Sequence, residues 1–392
     1  MKTLAFHLPQ FHPIPENDAW WGSGFTEWTN VTRARPVVPG HYQPHLPADL
    51  GFYDLRLPDA RAAQAGLARQ YGIDGFVYYH YWFTGKRVLN RPVDEILASG
   101  QPNFPFCLCW ANENWTRAWD GRSGQTLLEQ HYSDADDAAH IRHLLPFLAD
   151  PRYVRVGGRP LLLIYKSELL PEPARTAETW RNIALNAGIG ELFLARVESV
   201  SYDVDPASIG FDAAVEFAPD WRAVRRKEVG RVRRALSKLG MFPRGYLEHR
   251  IAEYGDLVER MLGKPEPAYR RYRCVTPGFD NSARRKTDAT IFMNSTPTAY
   301  GDWLRQVLLA ELRAQRPSNE KLVFVNAWNE WAEGNHLEPD QRWGRAYLEA
   351  TLRAIDEAGG ERSPEPVDSA RPASLHDAHR ARSRHKRRLI NR

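Results

Sequence analysis

The residues of this chain best suited to chemistry are concentrated in one segment, VFVNAWNEWAEGNHLEPD, which runs from Val323 to Asp340. It begins with apolar residues typical of a buried strand and then places Glu330 and Glu333 among indole rings. A helical turn after the strand would put both carboxyls on one face, about 5–6 Å apart at Cβ. The more buried of two such carboxyls keeps its proton to higher pH, so one can act as a base and the other as an acid.

A second interpretation of this pair also has to be considered. Acidic residues are common in the first turn of a helix, where the helix dipole favours negative charge. Taken alone, Glu330 and Glu333 are therefore compatible with a catalytic site and with ordinary chemistry at a helix N-terminus.

Eight apolar or β-branched segments, each followed by turn residues and polar side chains, predict the strands that position these residues. They are Leu4–Leu8, Gly75–Tyr79, Phe106–Trp110, Leu161–Tyr165, Leu192–Val197, Ala213–Phe217, Tyr272–Thr276 and Lys321–Asn326. Helical patterns lie between most of them, at Asp59–Tyr71, Asp134–Leu148, Ala174–Ala187 and Tyr300–Gln315.

Strands that alternate with helices predict an α/β fold with a parallel sheet, and eight of them predict a single (β/α)8 TIM-type barrel. The main alternative is the open, doubly wound sheet of a glycosyltransferase, but no glycine-rich first turn supports it. The barrel is predicted to span residues 1–358, with a basic helical insertion at 221–271 between the sixth and seventh strands. Residues 359–392, which have little that could form a core, are predicted to be a disordered basic tail.

The residues that follow the predicted strands are suited to binding a sugar. Active sites of such barrels lie at the carboxyl ends of the strands. Sugar rings have apolar C–H faces and hydroxyl edges, so their pockets combine aromatic platforms with amides, carboxylates and imidazoles. The predicted substrate-binding residues are His7, Gln10, Trp28, Tyr79, His80, Trp82, Trp110, Asn112, Glu113, Trp115, Asp280, Asn281, Asn329 and Trp331.

Structural interpretations of these residues stay open beside the functional one. Tryptophans are large and also fill protein cores, which can account for part of the set. Glu113 stands between Asn112 and Asn114, and this pattern is equally typical of a hydrogen-bond hub at a tight turn.

No metal ion or cofactor is predicted. The chain has no zinc-ligand spacing, no phosphate-binding loop and no dinucleotide-binding glycine pattern. Its three cysteines do not suggest a disulfide framework. Hydrogen bonding is the predicted role of five histidines that match no metal-binding spacing, namely His7, His12, His41, His45 and His80.

The charge distribution argues against a nucleic-acid partner. Residues 361–392 carry nine Lys/Arg and four Asp/Glu, a net of +5 that equals the formal charge of the whole chain. The remainder is therefore close to neutral. No apolar run is long enough to span a bilayer, and the N-terminal segment is typical of a first strand rather than a signal peptide. These features predict a cytoplasmic protein; none of them predicts an oligomeric state.

The segment 222–244 differs in character from the barrel, because it carries nine Lys/Arg and one acid. Apolar residues recur in it at helical spacing, at Val229, Val232, Leu236 and Leu239. Three interpretations stay open: peripheral contact with an anionic membrane, a clamp for a phosphate-bearing substrate, and a solvated insertion packed on the barrel.

Several segments together resemble the WbsX-type proteins, which are related to glycoside hydrolase family 99, and the resemblance runs from Lys2 to Ala358. The segments are HLPQFHPIPENDAWWGSGFTEWTNV, GFVYYHYWF, CWANENWTRAWDG, PGFDNSARR and AWNEWAEGNHLEPD. The resemblance implies a (β/α)8 barrel that acts on glycosidic bonds, often encoded in cell-surface polysaccharide or O-antigen loci. Characterised relatives in family 99 are retaining endo-acting α-mannosidases and α-mannanases.

The resemblance also implies roles for the two glutamates. Those relatives use a Glu-Trp-X-Glu arrangement, which here is Glu330, Trp331, Ala332 and Glu333. By resemblance, Glu330 takes the proton of the sugar 2-hydroxyl, which attacks the anomeric carbon to give a 1,2-anhydro intermediate. Glu333 protonates the departing oxygen and then activates the incoming acceptor. Ala332 stands where the hydrolases tend to carry histidine, and Asn335 stands where they usually carry threonine or serine, so mannose specificity does not follow.

The resulting hypothesis is a retaining carbohydrate-active enzyme. The lack of an export signal and the basic segment favour a glycosyltransferase of O-antigen-type biosynthesis, working on an oligosaccharide or lipid-linked glycan at the inner membrane face. The barrel and the carboxylate pair favour an endo-α-mannosidase-like hydrolase, by analogy of fold. A non-catalytic glycan-binding barrel is the alternative from another class.

Overall fold

Eight parallel strands carry the fold, as described by a computed structural model for residues 1–117, 122–199, 203–224 and 230–359. The strands are β1 (Lys2–His7), β2 (Gly75–Phe83), β3 (Phe106–Trp110), β4 (Arg159–Ile164), β5 (Phe193–Glu198), β6 (Ala213–Glu216), β7 (Arg271–Tyr272 and Cys274–Val275) and β8 (Leu322–Val325). All eight predicted strands are confirmed. The second runs four residues further than predicted, to Phe83.

The strands close into a barrel. Hydrogen bonding links them in the order β6, β5, β4, β3, β2, β1, β8. The two segments of β7 join the ends of this series, because Tyr272 pairs with Val215 of β6 and Cys274 pairs with Phe324 of β8. The predicted (β/α)8 barrel is therefore confirmed.

The barrel interior is a packed core. All nine positions of β2 are buried, and Phe6 of β1 packs against Phe324 of β8 with ring centroids 6.0 Å apart. Strands that face the interior on one side and helices on the other are buried on both faces. This is why they read as nearly continuous apolar runs in the sequence.

Helices cover the outside of the barrel and the loops above it. They are α1 (Pro15–Trp21), α2 (Glu27–Arg33), α3 (Pro58–Gln70), α4 (Arg91–Ser99), α5 (Asp134–Ala149), α6 (Pro173–Asn186), α7 (Arg231–Lys238), α8 (Gly245–Glu248), α9 (Tyr254–Leu262), α10 (Pro297–Arg313) and α11 (Ala346–Glu357). The four predicted helices correspond to α3, α5, α6 and α10. Helix α10 begins three residues before the predicted Tyr300, because the Thr296 side chain caps it by accepting from the Ala299 N–H and Pro297 occupies its first position.

Short strands and 3₁₀ turns build the loops. The strand pairs outside the barrel ladder are Lys86–Val88 with β2, Trp115–Arg117 with Arg122–Leu128, Arg155–Val156 with β4, Arg250–Glu253 with Thr290–Met293, and Asn329–Glu330 with Asn335–His336. The 3₁₀ turns are Ser167–Leu169, Pro206–Ile209, Trp221–Ala223, Asn281–Ala283, Ser318–Glu320 and Trp331–Glu333.

The insertion between β6 and β7 contains helices α7, α8 and α9, as predicted. It also contains the strand Arg250–Glu253, which the helical patterns did not predict. Residues 225–229 of the basic segment lie outside the described residues, and so does the predicted tail beyond Gly359. Over the part of the chain that the structure describes, no helix combines the length and apolar character needed to cross a membrane.

Candidate active site

A cavity of about 370 Å³ opens at the carboxyl end of the barrel. Residues that directly follow four of the strands form its floor: Ala111 after β3, Tyr165 after β4, Phe217 after β6 and Asn326 after β8. The location is the one at which barrels of this type hold their active sites, and the volume falls in the range of small-molecule pockets.

Glu330 and Glu333 both line this cavity. After β8 the chain forms a small hairpin in which Asn329–Glu330 pairs with Asn335–His336. The predicted helical turn between the two glutamates is a 3₁₀ turn, in which side chains three residues apart are nearly eclipsed. Gly334 closes the turn with φ +55°, and a Cβ at this position would lie 3.0 Å from the Asp280 Cβ. The acidic hairpin, residues 329–336, therefore puts the two carboxyls on the same wall.

One arginine holds the two glutamates and a third carboxylate. The Arg284 guanidinium donates from Nη2 to Glu330 Oε2 (3.0 Å) and from Nη1 to Glu333 Oε1 (2.6 Å). Its Nε donates to Glu27 Oε2 at 3.2 Å, and Glu27 is fully buried. A planar guanidinium presents its donors in a rigid fork, so it fixes the relative positions of the carboxylates it binds.

The electrostatics of the cluster leave a proton on Glu330. Its burial raises the pKa to about 8; the positive charge of Arg284 opposes this shift, and the negative charges of Glu333 and Glu27 add to it. Burial likewise raises the pKa of Glu27. A buried site with three carboxylates and one cation keeps one carboxyl protonated near neutral pH, as a general acid or base requires.

The rest of the cavity wall is aromatic and polar. Trp115 packs edge-on against Tyr81 and Trp20, with ring centroids 5.1 and 5.9 Å apart. Asn17, which also lines the cavity, is buried, and among the described residues neither polar atom of its amide has a hydrogen-bond partner. Buried amides are almost always hydrogen-bonded, so the Asn17 side chain is suited to a ligand hydroxyl.

The structure brings some of the predicted site residues together on the cavity wall. These are Gln10, Tyr79, Glu113, Trp115, Glu330 and Glu333. The Glu113 carboxylate forms an ion pair with Lys166, so the pattern that also suggested a hydrogen-bond hub corresponds to a salt bridge at the cavity edge.

Other predicted residues lie behind the acidic hairpin. The Asn329 amide accepts from the Leu8 N–H (2.7 Å) and donates to the Leu8 carbonyl (3.0 Å), which ties the hairpin to the end of β1. Trp331 donates from Nε1 to Glu338 Oε2 at 2.6 Å, and Trp28 packs on it with ring centroids 5.5 Å apart. These side chains position the hairpin rather than line the cavity.

Three predicted residues belong to a buried aromatic cluster. His80, Trp82 and Trp110 all pack around His140, with ring centroids 5.1, 5.0 and 4.5 Å from it. His80 and Trp82 alternate with Tyr79 and Tyr81 along β2, and successive side chains of a strand point to opposite faces. The two tyrosines therefore face the cavity, and His80 and Trp82 face the surrounding helices.

The remaining predicted residues have partners elsewhere. His7 Nε2 bonds to Gln64 Oε1 at 3.2 Å. Asn112 bonds to both backbone groups of Lys166 at 2.8 Å. Asn281 Oδ1 accepts from the Thr290 N–H at 2.9 Å, and Asp280 lines a second cavity.

Sequence reasoning missed Arg284, Glu27 and Asn17. All three occur in the segments that carry the family resemblance. Nothing in their spacing indicates that Arg284 meets Glu27 across 257 residues of chain.

One group of side chains among the described residues has ligand atoms close enough to hold a metal ion. It consists of His45, His336 and Asp340.

Comparisons with known proteins identify the family of this chain. The chain matches the family described as Glycosyltransferase WbsX over residues 3–351. Proteins from two strains of Xanthomonas campestris pv. campestris, each called "Uncharacterized protein WxcX", are 48% identical to it over 355 residues. The match covers 91% of this chain and 50% of theirs, so the chain spans about half the length of the curated relatives it matches.

Solved structures share the fold at low sequence identity. The GH99 endo-α-mannosidase from Bacteroides thetaiotaomicron superposes with a TM-score of 0.52 at 15% identity, over 91% of this chain and 97% of that one. A glycoside hydrolase-like protein superposes with a TM-score of 0.56 at 15% identity, over 90% and 93%.

Proposed function

The chain belongs to the WbsX glycosyltransferase family, and we propose that it is a retaining enzyme that forms glycosidic bonds in an O-antigen-type cell-surface polysaccharide. The observation that carries the proposal is the placement of Glu330 and Glu333 on one wall of the barrel cavity, held by a single guanidinium. Trp115 and Tyr81, which also line the cavity, support a sugar as the ligand.

In the proposed first step, Glu330 takes the proton of the sugar 2-hydroxyl, and that oxygen bonds to the anomeric carbon. The bond to the leaving oxygen breaks as Glu333 gives that oxygen its proton. In the second step Glu333 takes the proton of an acceptor hydroxyl, whose oxygen attacks the anomeric carbon. The bond between that carbon and the sugar 2-oxygen breaks, and Glu330 returns its proton to the 2-oxygen. Two inversions at the anomeric carbon give net retention.

The proton on the pair has to be on the correct carboxyl for this sequence. In the ligand-free chain burial places it on Glu330, whose pKa is raised to about 8. The reactive form is the one in which this proton has passed to Glu333. A carboxylate of such high pKa is a stronger base than an ordinary one, which suits a weakly acidic hydroxyl.

We expect kcat/KM to fall as the pH rises above about 8. Because burial raises the pKa of Glu330 to about 8, this carboxyl loses its proton above that pH, and with it the proton that the reactive form passes to Glu333. The departing oxygen needs that proton, so the rate should drop about tenfold for each further pH unit. Initial rates measured across this range, with circular dichroism to show that the fold persists, check the expectation. A rate that stays level well above pH 8 would contradict it.

Hydrolysis is the second candidate, because a carboxylate pair at the mouth of a (β/α)8 barrel suits water as well as a sugar hydroxyl. Transfer differs from hydrolysis only in the acceptor that captures the intermediate. Incubating the full chain with lipid-linked oligosaccharides and activated sugar donors, followed by mass spectrometry, separates the two. The proposal expects a longer glycan. A shortened glycan would assign the chain to the hydrolases, and no product with any donor would favour a binding module.

The basic helix α7 supports work at the cytoplasmic face of a membrane. Apolar side chains on and just after it are largely exposed: Val232 is 73% exposed, Leu239 72% and Met241 72%. They lie beside the basic residues Arg231 and Lys238, which are also exposed. Exposed apolar groups flanked by cations are typical of helices that lie on anionic lipid.

Neutralising two of these cations is expected to weaken membrane association. Each Lys or Arg near an anionic surface contributes about 1 kcal/mol, so Arg231→Gln with Lys238→Gln should reduce binding to phosphatidylserine vesicles roughly 30-fold at low salt. The matched control is Arg313→Gln with Arg353→Gln, which removes the same charge from exposed positions on other helices. Equal binding by both double variants would leave α7 a structural insertion.

A further inference from the structure

A second cavity, of about 170 Å³, shares the acidic hairpin with the first. Gly334, His336 and Asp340 line it, whereas Glu330 and Glu333 line the active-site cavity. Nothing in the proposed mechanism uses the second cavity.

We propose that this second cavity holds a divalent transition-metal ion of the zinc class, bound by His45, His336 and Asp340. The ligand atoms of the three side chains all lie within 4.8 Å of one another. His45 Nδ1 is 2.9 Å from His336 Nε2, and His336 Nε2 is 3.9 Å from Asp340 Oδ2. In a tetrahedral zinc site with bonds of about 2.0–2.2 Å, neighbouring donor atoms are about 3.3 Å apart. The observed distances lie on either side of this value, so small side-chain rotations would complete the site.

The groups behind the ligands are arranged as metal sites require. His336 Nδ1 donates to the Glu338 carbonyl at 2.9 Å, which leaves the lone pair on Nε2. Asp340 Oδ1 accepts from the backbone N–H groups of Arg342 and Trp343 at 3.0 and 2.6 Å, which holds the carboxylate with Oδ2 3.9 Å from His336 Nε2. Hydrogen bonds of this kind fix the orientation of ligating side chains.

The state of the imidazoles also fits. His45 Nδ1 and His336 Nε2 lie 2.9 Å apart, a hydrogen-bond contact that two imidazolium rings with every nitrogen protonated could not form. Metal ions bind the neutral imidazole. Without a metal, His45 donates its Nδ1 proton to His336; with a metal bound, that proton is on His45 Nε2.

The second cavity carries negative charge that suits a metal cation, and it leaves room for a further ligand. Asp280 and Asp340 both line it, and two carboxylates offset the charge of a divalent cation. Two imidazoles and one carboxylate are a ligand set that zinc accepts, and three protein ligands leave a fourth position open towards the cavity. A bound metal would tie His45, in the loop after α2, to His336 of the acidic hairpin, which is 291 residues away along the chain.

Metal titration of the full chain tests this proposal. After treatment with a chelator, the chain should bind one equivalent of Zn²⁺ by calorimetry, and Co²⁺ should give the visible absorption of a four-coordinate site. Loss of a residue that only hydrogen-bonds to a metal ligand typically weakens metal affinity about 10–100-fold. His45→Gln and Asp340→Asn each remove a ligand itself, so each should weaken Zn²⁺ affinity more than about 100-fold. The control His131→Gln, which removes an exposed imidazole outside the cluster, should leave binding unchanged.

Folding and selectivity are checked in the same preparations. Circular dichroism identifies any variant that fails to fold. His45 and Asp340 lie in different segments of the chain, so if one ligand variant does not fold, the other still tests the proposal. Zn²⁺ should raise the melting temperature of the unmodified chain but not of a folded ligand variant. The proposal is overturned if the unmodified chain binds no stoichiometric Zn²⁺, or if folded ligand variants bind it as the unmodified chain does.

Discussion

Glu333→Gln is expected to slow turnover of the natural glycan by about 10²–10⁴-fold while leaving glycan binding in place. Glutamine has nearly the same shape and can still accept a hydrogen bond from Arg284, which now contacts Glu333 Oε1 at 2.6 Å. It cannot deliver a proton to the departing oxygen. Turnover measured under saturating donor, together with glycan binding by calorimetry, separates the chemical step from binding.

A control variant and a second donor show whether the loss is specific to proton transfer by Glu333. Glu349→Gln changes an exposed glutamate on α11 in the same way and should leave turnover unchanged. A donor whose leaving group needs no proton should restore the first step in Glu333→Gln but not in Glu330→Gln. The reverse pattern would exchange the two roles, and full turnover of the natural glycan by Glu333→Gln would reject the assignment of this residue.

Arg284→Met is expected to destabilise the fold and to abolish activity. The guanidinium is the cation shared by Glu27, Glu330 and Glu333. Removing one partner from a buried ion pair typically costs about 3–5 kcal/mol, because it leaves an uncompensated buried charge. Glu330 and Glu333 also lose the guanidinium that holds their two carboxylates next to each other. Urea unfolding and turnover, measured on the same preparations, check both effects.

The pH dependence of this loss has a definite sign. Without Arg284, burial and mutual repulsion hold the pKa values of Glu27 and Glu330 further above those of the unfolded chain, so the charged forms oppose folding. The stability deficit should therefore be largest in alkali and shrink as the pH falls and the carboxyls take up protons. Arg284→Met with Glu27→Gln should recover part of it, whereas Arg313→Met, at an exposed position, should cost little. A deficit independent of pH would contradict this explanation.

Much of the fold could be predicted because its signals are local. Strands buried on both faces give apolar runs that need no partner to be recognised, and β8 with its two following glutamates is one of them. Strand β2 was less well predicted. It continues to Phe83 through aromatic residues that were predicted to follow the strand and to contact a ligand. Because side chains alternate along a strand, Tyr79 lines the cavity and Trp82 does not.

The parts of the site that could not be predicted depend on contacts between distant segments. Arg284 meets Glu27 and Glu330 only after the barrel closes. The same holds for His45 and His336, which no ligand spacing along the chain connects. Single-sequence patterns report periodicity and turn chemistry, so they identified the acidic pair but not the cation that organises it.

Cooperation of Glu330 and Glu333 on one sugar is decided by the anomeric configuration of the first-formed product. NMR follows this configuration with the unmodified chain, Glu330→Gln and Glu333→Gln side by side. We expect a glycan whose new bond retains the configuration of the donor, and no comparable product from either variant. Inversion at the anomeric carbon, or equal product from all three proteins, would contradict a mechanism in which these two carboxyls act together on one sugar.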